Sequence, residues 1–152
     1  MATDELSRLT SWADGLLASI SPAARRQLAG EMARTLRASQ AQRIRANLQP
    51  DGSPMAPRKP QPKLKKNRGR LRRKMFFKIS NPAWLKARAN EHQAVVEFVG
   101  TANRLATIHQ YGLKDRIKGR EISYPARELL GITEQERDQL ETTLLAHLTK
   151  GL

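Results

Sequence analysis

The chain has 152 residues, the length of one domain with room for an extended arm. It has no cysteine, which excludes disulfides, thiolate metal sites and a cysteine nucleophile. Its net charge of +14, from 28 Lys and Arg against 14 Asp and Glu, calls for anions nearby, either phosphates or acidic surfaces of another subunit. That charge is not spread evenly. Residues 41–80 hold thirteen basic side chains and one acidic one, Asp51, whereas the segments on either side are close to neutral. A block this dense repels itself and cannot be buried without partners. No apolar run approaches the ~20 residues of a membrane span. Asp4, Glu5 and Asp14 interrupt the apolar pattern of residues 1–17 and argue against a signal peptide.

In chain order, Thr3 or Asp4 caps a first helix, in which Leu6, Leu9, Trp12, Leu16 and Leu17 recur at helical spacing. Ser21-Pro22 starts a second: the serine oxygen can accept a free N–H, and proline loses nothing in the first turn. Leu28, Met32, Leu36 and Ile44 carry it to about Asn47, across a weak point at Gly30. Residues 1–49 thus form an N-terminal helical part. The run Pro50-Asp51-Gly52-Ser53-Pro54 then breaks the chain, and with Pro57, Pro60 and Pro62 it predicts a basic, proline-rich arm over residues 50–70. Residues 71–152 belong to the same domain. Leu71, Met75, Phe76, Phe77 and Ile79 make a short apolar element, helix or strand.

Residues 94–99 form the best strand, β-branched and closed by Gly100, and pair with residues 84–89 through the turn Asn90 to Gln93. A helix over 102–111 ends at Gly112, a polar loop runs from Leu113 to Arg120, and 121–124 is a further strand. Thr133 and Glu136 form a capping box for a last helix with Leu140, Leu144, Leu145 and Leu148 on one stripe. The fold class is α+β, with helices at both ends around a small, mostly antiparallel sheet and an extended proline-rich basic arm.

Candidate chemistry is sparse. His92, His109 and His147 show no metal-pair spacing, and His109 reads as packed or hydrogen-bonded near a helix end. The acidic residues of the last helix suit a solvated face and a helix N-terminus. Gly52, Gly69, Gly100 and Gly112 are isolated and make no phosphate loop. The sequence therefore gives no catalytic, cofactor-binding or metal residues, and reads as a non-enzyme. In the arm, Lys63, Lys65, Lys66, Arg68, Arg70, Arg72, Arg73 and Lys74 are placed to neutralise phosphates or an acidic partner. With only Phe76 and Phe77 beside them there is little platform for base stacking. The charge alone supports an alternative function, a nucleic-acid-binding protein without sequence preference.

Three segments, in order, resemble the phage virion morphogenesis family. The first runs from Ile44-Arg45-Ala46-Asn47 into Asp51-Gly52-Ser53-Pro54-Met55-Ala56-Pro57, with Met55 where tryptophan is usual. The second is Val96 to Gly100 followed by Ala106-Thr107-Ile108-His109-Gln110-Tyr111-Gly112, with Leu105 in place of an aromatic residue. The third is Tyr124-Pro125-Ala126-Arg127-Glu128-Leu129-Leu130-Gly131, ahead of an acidic helix. The resemblance implies structural roles for Asp51, Gly52, Pro54, Gly100, Ile108, His109, Tyr111, Gly112, Pro125, Arg127, Leu130 and Gly131, with Ile108, Tyr111 and Leu130 expected to pack. It also implies a non-enzymatic virion protein at the head-proximal end of the tail, needed for tail completion and head–tail joining. Implied partners are copies of itself in a ring, with a hexamer favoured, other tail and neck proteins, and the backbone of phage DNA in the channel, with no membrane. The implied location is the neck of the virion, and the host cytoplasm during assembly.

Overall fold

The computed structural model describes residues 2–58 and 75–150. Helix α1 spans Ala2–Ala18 and α2 spans Pro22–Arg45. Strands β1 (Leu85–Ala89) and β2 (Ala94–Phe98) precede α3 (Thr101–Tyr111), and β3 (Lys114–Ile117) and β4 (Arg120–Ser123) precede α4 (Glu134–Lys150). The expected α+β class holds, but the sheet is divided: β1–β2 and β3–β4 are separate antiparallel pairs.

Helix α2 is the spine. Ser21 caps it, its side-chain oxygen accepting from the Ala24 N–H. Leu28, Ala29, Ala33, Ala41 and Ile44 are buried, and the small alanines let other backbones approach closely. The core is built from α2 outward. Ala41 and Ile44 meet Met55, Ile79, Leu85, Phe98, Ala102, Ala106 and Leu129, with Trp84, Val96 and Leu130 packed around them. Leu85 opens β1 fully buried and stands opposite Phe98 at the end of β2. The turn between these strands is closed by Asn90, whose side-chain oxygen accepts from the N–H groups of His92 and Gln93.

Three expectations are corrected. The polar loop at 113–120 is the β3–β4 hairpin, because Lys118 and Gly119 both adopt positive φ (51° and 77°), the geometry a two-residue hairpin turn requires. Residues 75–80 are neither helix nor strand but turns, with Phe76 at φ 62°, and Leu71 lies outside the described residues. The first part of the expected arm, residues 50–58, is tied to the body: Met55 is buried, and its N–H reaches the Asn47 carbonyl. In α1, Leu6, Leu9 and Trp12 are exposed.

Helix α4 returns along α2. Its capping box forms as the sequence implied: Thr133 Oγ1 accepts from the Glu136 N–H, and a Glu136 carboxylate oxygen accepts from the Thr133 N–H. The other Glu136 oxygen accepts from Ser39 Oγ of α2, so the cap also docks the helix. At the far end of α4, His147 meets Glu31 of α2 at 2.6 Å.

Leu85 has no exposed surface and lies where α2, β1 and β2 meet. Leu85→Ala is expected to lower unfolding stability by about 2–5 kcal/mol, the usual cost of an unfilled core site. Urea titration checks this as a fall in midpoint at unchanged slope.

Candidate functional site

The three family-like segments lie far apart in sequence and meet at one place. Gly112 ends α3 in the left-handed conformation (φ 62°). A side chain there would strike the Ala126 backbone, its Cβ falling 2.8 Å from the nitrogen, so glycine lets the third segment pass against the end of the second. The Arg127 N–H then donates to the His109 carbonyl at 2.7 Å.

Arg127 is buried, and its guanidinium serves all three segments at once. Nε donates to the Ala56 carbonyl at 2.7 Å, one terminal nitrogen donates to the Pro57 carbonyl at 3.0 Å, and the other faces His109 Nδ1 at 3.1 Å. A guanidinium can only donate, so His109 Nδ1 accepts and the ring carries its proton on Nε2. The edges of Phe76 and Tyr124 enclose the imidazole, each with its ring centroid 4.8 Å away. Burial first, and the Arg127 charge second, hold the His109 pKa below its ordinary value. The ring is neutral and acts as a fixed acceptor.

Glutamines and a further arginine complete the junction. Gln110 Oε1 accepts from the N–H groups of Leu129 and Leu130, and its Nε2 donates to the Leu130 carbonyl. Gln49 Oε1 accepts from the Glu128 N–H, and Gln49 Nε2 donates to Ser53 Oγ. Asp51 accepts from both the N–H and the hydroxyl of Ser53, which shapes the turn before Pro54. From α2, Arg43 donates to the carbonyls of Leu48, Leu129 and Gly131, and Gln40 Nε2 also reaches Gly131. Burial lowers the Arg43 pKa, and Glu136 and Glu128 partly restore it. Gly131 lies against the Pro50 ring, with no room for a side chain: a Cβ would fall 2.5 Å from Pro50 Cγ.

Of the residues expected to pack, Ile108 is buried and Leu130 is packed on the core, but Tyr111 is 70% exposed. Tyr111 stands beyond the buried Ala102, Ala106 and His109 face of α3, at a helix end that Gly112 turns away. Gly52 takes positive φ in the turn after Asp51, Pro54 bridges to Leu48, and Pro125 is exposed beside the junction. Gly100, at φ 61°, lies under the Trp84 ring and opens α3. Lys63, Lys65, Lys66, Arg68, Arg70, Arg72, Arg73 and Lys74 lie outside the described residues. The residues that sequence reading missed are Gln40, Arg43 and Gln49. No spacing marks them, because their partners are backbone carbonyls and N–H groups of irregular segments.

The junction also holds both chain ends that flank residues 59–74: Ala56 and Pro57 through Arg127 on one side, Met75 and Phe76 in the core and against His109 on the other. It anchors chain rather than shaping a pocket. Among the described residues, no group of three or more His, Asp or Glu side chains is placed to hold a metal ion.

The neutral His109 sets a pH dependence. A group whose pKa is lowered on folding binds its proton more readily in the unfolded chain, so stability is full above the unfolded value of about 6.5 and declines as pH falls below it. The unfolding midpoint of the native chain is expected to drop between pH 7.5 and 5.5. His109→Asn, which keeps an acceptor near Nδ1 but does not titrate, is expected to drop less. Parallel slopes in denaturant titrations of the two proteins would show that His109 is not the group responsible.

A model of the phage virion morphogenesis family matches residues 4–149 of the chain. The chain is 42% identical over 150 residues to the tail completion protein S of Escherichia phage P2, spanning 97% of this chain and 99% of that protein. No solved structure matches.

Proposed function

The chain belongs to the phage virion morphogenesis family, and we propose that it completes the tail of a bacteriophage as a non-enzymatic structural part at the tail's head-proximal end. The observation that carries the reading is the near end-to-end similarity to a tail completion protein. Similarity of that extent covers helices, junction and charge block together, not one module. The geometry is compatible: the three family-like segments are joined by hydrogen bonds that fix backbone, with Arg43 and Arg127 donating to carbonyls and His109 Nδ1 facing the Arg127 guanidinium.

In this reading the protein works as a homo-oligomeric ring, a hexamer by family resemblance, in contact with other tail and neck proteins. It assembles in the host cytoplasm and remains at the neck, where it joins tail to head. Residues 59–74, flanked on both sides by the Arg127–His109 junction, bring nine basic side chains to DNA phosphates in the channel or to an acidic neighbour. A second reading, a nucleic-acid-binding protein without sequence preference, draws on that charge alone.

Replacing Lys63, Lys65, Lys66, Arg68, Arg70, Arg72 and Arg73 with glutamine tests both. The variant is expected to keep the native unfolding midpoint, because the apolar core lies elsewhere. In complementation of a phage lacking the chain, infectious yield is expected to fall about tenfold or more, with unjoined heads and tails seen by electron microscopy. Finished tails made without any copy of the chain would overturn tail completion. A salt-sensitive gel shift by the native monomer, with normal joining by the variant, would favour the second reading.

A further inference from the structure

Arg127 grips the chain with one rigid group. A guanidinium is planar, so Nε and the two terminal nitrogens keep fixed directions and turn together. Nε and one terminal nitrogen hold the carbonyls of Ala56 and Pro57, and the other terminal nitrogen faces His109 Nδ1 at 3.1 Å. Among the described residues, those two carbonyl bonds are the hydrogen bonds that tie residues 56–58 to the body. The neighbouring chain is pinned without them. Met55 is buried in the core, with its N–H on the Asn47 carbonyl at 2.8 Å, and Met75 is buried as well. The Arg127 backbone has its own tie, from its N–H to the His109 carbonyl at 2.7 Å.

The contact with His109 holds only while the imidazole is neutral. A guanidinium has no acceptor and does not give up its proton in proteins. A second proton on the ring enters at Nδ1, the nitrogen without one. It sets an N–H against an N–H and one positive charge against another, between two buried side chains. Among the described residues, Arg127 is the charge that acts on His109, and no carboxylate offsets it. Phe76, next to Met75, and Tyr124, after β4, lie against the ring as aromatic edges, and Tyr124 is the other titratable side chain there. Arg58, from the stretch that Arg127 holds, adds a further positive charge at Arg127. On α3 itself the other charged side chain is Arg104, which is bonded to Asp115 of β3.

We propose that His109 is an acid-opened catch: a second proton on its ring expels the Arg127 side chain and frees residues 56–58, while the core around Met55 and Met75 stays closed. The fork is rigid, so turning away from the imidazole also breaks its two carbonyl bonds. At neutral pH burial keeps the ring unprotonated and the catch shut. Acid opens it, and return to neutral pH closes it. The change is local and distinct from a general loss of stability. In acid the last residue held before position 59 is Met55 rather than Pro57, and Arg58 is released with its charge.

NMR of the full-length native chain between pH 7.5 and 4.5 tests this. The His109 ring nitrogens, the Arg127 Nε–H, the Ala56 backbone and the amides of Met55 and Leu85 are followed together. The Leu85 amide reports on the core, where it donates to the Asn81 carbonyl. As His109 takes up its proton, exchange of the Arg127 Nε–H with water, corrected for the direct effect of pH, is expected to quicken about tenfold or more. The order parameter of Ala56 should fall from about 0.85 to below about 0.6. The Met55 and Leu85 amides should keep their protection through the same step. His109→Asn, an acceptor that does not titrate, should hold the Arg127 Nε–H slow at every pH. Should that variant misfold, the comparison with Leu85 inside the native chain decides alone. An Arg127 Nε–H that stays slow after His109 is protonated would overturn the catch. So would Arg127 and Leu85 exchange rising together, which marks general unfolding, or a His109 that stays neutral until the chain unfolds.

Discussion

The fold depends on side-chain donors reaching the carbonyls of irregular backbone. Large parts of the chain, residues 46–58, 75–84 and 124–133, have neither helix nor long strand to satisfy their polar groups, and yet they surround the core. A buried carbonyl without a donor costs roughly 1–3 kcal/mol, so such a core needs partners built into the sequence. Arg37 meets the carbonyls of Leu85 and Ser80, Arg43 those of Leu48, Leu129 and Gly131, and Arg127 those of Ala56 and Pro57. Arginine suits the task because one planar group donates in several fixed directions and stays charged when half-buried. Gln40, Gln49 and Gln110 extend the same scheme without charge.

This use of arginine changes the meaning of the net charge. Arg43 and Arg127 count toward +14, but their charge is spent inside, on carbonyl dipoles, and little of it is offered to a partner. Arg45 is likewise engaged, with Ser80 and over the Phe77 ring. The charge available for recognition is therefore smaller than the composition suggests.

Periodic elements could be read from the sequence, and the junction could not. Ser21-Pro22, the β-branched run at 94–99, Gly112 and the Thr133–Glu136 box each declare a local rule, and the structure follows all four. The β3–β4 hairpin was missed because its turn is Lys118-Gly119, without the asparagine or aspartate that usually marks a left-handed first position. The expectation that Tyr111 packs came from the family resemblance, which does not say where a helix leaves the core. The family-like segments did point to the right stretch of chain. That Arg127, His109 and the carbonyls of Ala56 and Pro57 form one cluster follows from tertiary contact over some seventy residues, which no local pattern carries.

The contact between Gly131 and Pro50 bears on how this protein can change over time. No side chain at residue 131 is tolerated while the proline ring stands where it does. Residue 131 therefore cannot drift alone. A relative that acquires even alanine at 131 must first, or at once, have exchanged the proline for something slimmer, and the order of those steps is forced: the proline goes first. Two sites eighty residues apart are thus linked like the wards of a lock and its key, and a lineage that lost the proline long ago would be free to alter a turn that remains closed to this one.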